Sequence, residues 1–291
     1  MAPRSVARYE SYSRELCGRL AGQIADAGRG DAAEGYAQQI PVRVIARMLG
    51  VDEGRADEFT GWVRGVLEFG ATDPERRKAA RHSIISFFAE QVEDRRRSPK
   101  DDLLTELLAA EVDGRPVPDT HVIGTCNLIL VAGIDTTWSA IGSALWHLAT
   151  NAGDRSRLVA EPDLMPTAVE ELLRAYAPVT MARLVTEDVE VQGACIHAGD
   201  KVLMPFPAAN RDPAVFPDAD RVVLDRAENR HVAFGVGIHR CAGSNLARME
   251  LRVALEEWLA RMPDFRLADG EEVTWAGGQV RGPRHLPVVV G

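Results

Sequence analysis

The stretch AFGVGIHRCAGSNLAR, residues 233–248, sets one cysteine, Cys241, among three glycines and directly ahead of a helical pattern. A thiolate at the start of a helix is stabilised by the positive end of the helix dipole and by backbone N–H groups that lack partners, so the position suits a persistent anionic ligand. Gly235, Gly237 and Gly243 would let a flat ligand approach the backbone closely. Taken alone, a cysteine before a helix is more often a small buried hydrophobe. A second group is Ala132, Gly133, Ile134, Asp135, Thr136 and Thr137, which interrupts a long apolar stretch with an acid and two hydroxyls. By itself it also fits a packed helix carrying a cap-like acid. A third, Glu171 and Arg174, has the i,i+3 spacing of a helical ion pair, ordinarily a surface feature worth roughly 0.2–0.5 kcal/mol.

These groups need elements to hold them. After Cys241, the residues Leu246, Met249 and Val253, with Leu251, Leu255 and Leu259 beside them, recur at three- and four-residue spacing and predict a helix over about 242–260. No proline occurs from Asp119 to Thr150, which allows one helix about 48 Å long. A helix so long and apolar must cross the core. In its middle a threonine hydroxyl can compete for carbonyls of the preceding turn, which predicts a local kink at 133–137. Glu171 and Arg174 fall on a further helix, about 164–176, that ends before Pro178.

Upstream, apolar stripes predict helices over 9–24, stopped at Gly28 to Gly30, and over 41–50 between Pro41 and Gly50. Others follow at 55–69, 75–95 and 101–110, the last with Asp101 as its candidate cap. Downstream, 182–186, 189–192, 201–205, 265–267 and 286–290 read as short strands. The expected fold is mainly α, an α-rich α+β arrangement with minor β-sheets.

The formal net charge of -9 argues against a nucleic-acid surface. Four widely spaced cysteines and an opening without an apolar leader point to free thiols in a reducing, cytoplasmic setting. The longest apolar run, 122–134, is broken by Thr125 and Asn127 and falls short of the roughly 18 apolar residues of a membrane span, so no membrane contact is expected.

Phe234, Gly235, Gly237, His239, Cys241 and Gly243 resemble the haem-binding signature of the cytochrome P-450 family, F-G-x-G-x-[HR]-x-C-x-G, at every defined position. Residues 132–137 resemble the family's A-G-x-[DE]-T-T element, and 171–174 its E-x-x-R motif, in the family's order. The resemblance implies the family's fold as a single domain over 1–291, N-terminally truncated, without the family's first helices and most of its main sheet. It implies haem b (iron protoporphyrin IX) with Cys241 as axial thiolate. Phe234 would pack beside that thiolate, His239 and Arg183 would reach the propionates, and Gly235, Gly237, Gly243, Ala132 and Gly133 would lie close to the macrocycle. Thr136 would hydrogen-bond dioxygen at the iron while Asp135 helps relay protons, a task that needs a positioned hydroxyl and an ionisable group. Glu171, Arg174 and Arg221 would form a structural network that holds the cysteine loop.

The implied activity is that of a soluble bacterial haem-thiolate monooxygenase, which inserts one atom of O2 into a small organic substrate. A thiolate ligand favours the O–O cleavage this needs. Electrons would come from a separate ferredoxin or flavodoxin with its reductase, and Arg230, Arg240 and Arg248 would give an acidic donor a basic face. Two rivals stand beside it. One is a non-catalytic truncated haem binder or family relic with a partner role. The other is a zinc site from Cys195, His197, His239 and Cys241, whose ligand spacing is shorter than such sites use.

Overall fold

The computed structural model describes all residues, 1–291. Eleven α-helices run in order: α1 (Pro3–Ala7), α2 (Glu10–Ala27), α3 (Gln39–Leu49), α4 (Ala56–Leu67), α5 (Pro74–Arg97), α6 (Leu103–Leu108), α7 (Asp119–Thr150), α8 (Ala152–Ala160), α9 (Met165–Ala175), α10 (Phe206–Ala209) and α11 (Ser244–Arg261). The predicted stops hold for the physical reason given. Gly28 and Gly50 cap α2 and α3 with φ of +67° each, a conformation glycine adopts without a Cβ penalty. One cap is displaced: the backbone N–H of Thr105 donates to Asp102 at 2.8 Å, so Asp102 rather than Asp101 starts α6.

Helix α7 is the axis of the molecule. It packs against α3, α4, α5 and α11, and Ile134, Trp138, Ile141, Leu145 and Leu148 are buried along it. Its longest apolar run, 122–134, is too short for a membrane span. The helix nevertheless reaches a mean hydropathy of 1.5 over its most apolar window, because Thr, Ser and Gly weigh little against Leu and Ile. What it crosses is the protein: 61% of that window is buried inside the fold. The anticipated competition for backbone carbonyls occurs, since the Thr136 hydroxyl donates to the Ala132 carbonyl at 2.7 Å, yet the helix runs unbroken through residues 133–137.

The sheets are small. The pair β2 (Glu111–Val112) and β3 (Arg115–Pro116) forms a tight hairpin, and β1 (Arg29–Asp31) joins an antiparallel sheet in the order β1, β11 (Pro287–Val290), β8 (Phe265–Leu267). The segment after α9 folds as β4 (Thr180–Leu184) paired with β7 (Lys201–Pro205), enclosing a second hairpin of β5 (Val189–Val191) and β6 (Ala194–Ile196). Strand β6 escaped the sequence reading, because three residues, two of them exposed, carry no alternation to detect.

A last hairpin, β9 (Thr274–Ala276) and β10 (Gly282–His285), lies directly on α7. Glycines make this contact possible on both sides. A Cβ at Gly282 would overlap Ser139, and one at Gly142 would come within 2.7 Å of the Pro283 ring.

Candidate active site

The cysteine loop is built by glycine and then clamped by charge. Gly235 and Gly237 have φ of +67° and +69°, in the left-handed region, and the Cys241 N–H folds back onto the Phe234 carbonyl at 2.8 Å. This leaves Cys241 exposed, a free thiol three residues before α11. On the far side of the loop Glu170, on α9, takes a two-pronged ion pair from Arg248 at 2.6 and 2.8 Å and lies 3.2 Å from His231. Burial alone would raise the Glu170 pKa, but the hydrogen bonds from His231 and Arg248 outweigh it and bring it to about 2. The Arg248 guanidinium also sits 4.5 Å from the Phe234 ring centre. Arg248 is therefore committed to the loop. Only Arg230 and Arg240 of the expected basic face are exposed and without a carboxylate partner.

Nothing local in the sequence marks Glu170, because its partners His231 and Arg248 lie far along the chain. Consecutive helical residues point about 100° apart, so a Glu-Glu doublet can serve two different elements.

Glu171 serves the other one. It is fully buried with Arg174, and every N–H of that guanidinium has an acceptor: both Glu171 oxygens at 2.8 Å, and the carbonyls of Asn210, Ala219 and Arg221 at 2.8, 2.9 and 2.7 Å. The third arginine differs from the expectation. Arg221 is exposed and gives only its carbonyl, whereas the Arg226 side chain donates to Glu171 at 2.9 Å, beside Asn229 at 3.1 Å and the Val223 N–H at 2.7 Å. The turn at 221–226 aims Arg221 at solvent and Arg226 inward. The same network reaches the cysteine loop through Asn210, whose side-chain oxygen accepts from the Val232 N–H at 2.8 Å.

On α7 the motif residues divide between faces. Leu128, Ala132 and Thr136 follow at i+4 spacing along the open face, Leu128 being 64% exposed. Gly133, expected among the cofactor contacts, makes room for α3: a Cβ there would lie 2.9 Å from Ile45. Asp135 is buried and makes no hydrogen bond to Thr136. Its carboxylate lies 2.7 Å from the Arg284 guanidinium and accepts from Ser139 at 3.3 Å. Burial raises its pKa, and the Arg284 charge offsets part of that rise.

The residues present fit a haem. Five of the twelve exposed large apolar side chains, Leu128, Leu184, Leu203, Val236 and Ile238, lie on α7, the β4–β7 pair and the cysteine loop, the elements that carry the motif residues. Ile238 is 97% exposed, and covering a side chain of that kind is worth about 1.5–3 kcal/mol. Arg183 and His239 have no carboxylate partner, which leaves both for a ligand's acidic groups. The zinc alternative finds no support, since no three His, Cys, Asp or Glu side chains gather as metal ligands.

A long core helix with an acid–threonine pair, a buried Glu-x-x-Arg network and a clamped cysteine loop at a helix start define a haem-thiolate fold, and the chain belongs to the cytochrome P450 family, whose sequence model matches residues 45–267. Its relatives give a finer placement. It is 38% identical over 284 residues to the mycinamicin IV hydroxylase/epoxidase of Micromonospora griseorubida, covering 95% of this chain and 71% of that one. It is 39% identical over 292 residues to the nocardicin C N-oxygenase of Nocardia uniformis subsp. tsuyamanensis, covering 98% and 73%. The structure of the polyketide synthase cytochrome P450 PksS of Bacillus subtilis 168 superposes with a TM-score of 0.94 at 31% identity, over 100% of this chain and 76% of that one. The fold and the oxidoreductase class implied by the sequence are those of its relatives.

Proposed function

We propose that residues 1–291 act as a single cytoplasmic haem-thiolate monooxygenase domain that inserts one atom of O2 into a small organic substrate, with electrons from a separate ferredoxin or flavodoxin and its reductase. The observation that carries the reading is the free, exposed Cys241 thiol at the entry to α11, in a loop whose shape is fixed by groups other than the cysteine side chain. Cys241 would hold the iron of haem b, with Arg183 and His239 at the propionates and Phe234, Gly235, Gly237, Gly243 and Ala132 around the ring. When bound, the haem supplies dioxygen activation, which no side chain here provides.

The chain's own contribution is to manage protons. Because the Thr136 hydroxyl gives its hydrogen to Ala132, its oxygen lone pairs are free to accept a hydrogen bond from a protic ligand on the open face. Rotation about one bond turns the same group into a donor. Asp135, one residue earlier, is the nearest ionisable group along the helix and would be the source that replenishes that proton.

The test is turnover of an alkoxycoumarin with NAD(P)H, ferredoxin and ferredoxin reductase. Thr136→Ala should lower product formed per NAD(P)H severalfold or more, with hydrogen peroxide released in its place, because the proton-donating hydroxyl is gone. An unchanged yield per NAD(P)H would remove Thr136 from the mechanism, and absence of any oxygenated product from the unaltered protein would favour a haem-binding form without turnover.

A further inference from the structure

We propose that Arg284 is the positioning residue for Asp135, and that it links this acid to Glu68 at the end of α4. The proposal rests on the reading of Asp135 and Thr136 as the proton-handling pair. Arg284 lies far along the chain, on β10, and its side chain is only 9% exposed. Its terminal nitrogen is 2.7 Å from Asp135, its Nε donates to Glu68 at 3.1 Å, and its other terminal nitrogen donates to the Ser139 hydroxyl at 3.2 Å. The guanidinium carbon is 4.1 Å from the Trp138 ring centre, so a flat cation is held from below as well as at its edges.

The backbone that carries Arg284 has little freedom. Gly282 meets Ser139 and Pro283 meets Gly142, so β10 rests on α7 over the two turns that follow the acid. The arginine is thereby placed by a strand that shares no sequence neighbourhood with the residues it serves.

The charged groups that face Asp135 are Arg284 from β10 and Glu68 from the end of α4, with Arg64 behind Glu68 at 3.0 Å to each of its oxygens; Ser139 donates from α7 itself. Arg284 is shared by two carboxylates. One oxygen of Asp135 has no protein hydrogen-bond partner, so the acid has room for a proton on that side. Whatever draws Arg284 toward Glu68 makes Asp135 easier to protonate, and whatever removes Glu68 tightens the grip on Asp135. The end of α4 and the connection to α5 can therefore alter the proton affinity of an acid in the middle of α7.

The experiment is an infrared pH titration of the purified 291-residue protein, following the C=O stretch of a buried protonated carboxyl assigned by its loss in Asp135→Asn. Arg284→Gln removes the counter-charge and should move the midpoint up by about 1–3 pH units. Arg284→Lys, which keeps the charge, should bring it back toward the original value. Glu68→Gln removes a like charge and should move the midpoint down. Opposite movements from two neighbouring substitutions are not what general loosening of the fold produces. Unmoved midpoints in Arg284→Gln and Glu68→Gln, or movement in the same direction, would overturn the proposal. If Arg284→Gln does not fold, Glu68→Gln decides alone: a downward midpoint supports the coupling and an unmoved one rejects it. Opposed movements in a protein without a haem-thiolate spectrum would reject the functional reading and keep the coupling, while a normal spectrum with unmoved midpoints would reject the coupling alone.

Discussion

Replacing Cys241 with serine is expected to abolish the thiolate-type absorption of the reduced, carbon monoxide-treated protein and to reduce oxygen insertion to background, with little change in the Tm of the haem-free protein. The two halves of that expectation have separate causes. Serine offers a hard, protonated oxygen where the iron needs a soft anionic sulfur. The fold is indifferent to the exchange because the loop is held elsewhere: by Glu170 through Arg248 and His231, and by Asn210 through the Val232 N–H. The thiol is exposed and contributes no core packing. An unchanged spectrum would contradict the assignment of Cys241, and a collapse in Tm would contradict the account of the loop.

The second large effect is on stability. Arg174→Met should destabilise the protein by about 3–5 kcal/mol, since it leaves the buried carboxylate of Glu171 short of its main partner and three carbonyls without donors. That is a substantial part of the 5–15 kcal/mol that a typical domain has in total, about the stated range. Urea unfolding measures it directly. Arg174→Lys should rescue little, because three donors from one nitrogen cannot reach acceptors arranged around a planar fork. Acid should expose the same network. Burial works against the Glu171 carboxylate, but Arg174, Val223 and Arg226 hold its pKa below the ordinary 4.5. The contribution is therefore present above about pH 4.5 and is lost as pH falls through the lowered value, so the gap between the native protein and Arg174→Met should narrow on acidification. A gap that stays constant would show that Glu171 is not the group concerned.

Much of this was visible along the chain. The start of α7 after Pro118 and its unusual length follow from the absence of proline as far as Pro162, and the glycines around Cys241 mark the place where a flat ligand can approach the backbone. Glu171 and Arg174 were found because they share one helix. What stayed hidden depends on partners brought from far along the chain. Periodicity shows that Asp135 belongs to a helix but not that a strand at the other end of the sequence carries its counter-ion. It could not choose Arg226 over Arg221 either, because the choice is made by a turn that places one inside and the other in solvent. The packing role of Gly133 was equally hidden, since nothing local announces that Ile45 of another helix needs the space. Nothing local distinguishes Arg248 from a surface charge, since its partner Glu170 lies 78 residues away.

The central claim is that the free thiol of Cys241 holds a haem iron. The measurement is the absorption spectrum of the purified 291-residue protein, supplied with haem, reduced with dithionite and treated with carbon monoxide. A strongly red-shifted Soret band is predicted. A protein that binds haem with the unshifted band of a neutral ligand, or that takes up none, would contradict the account.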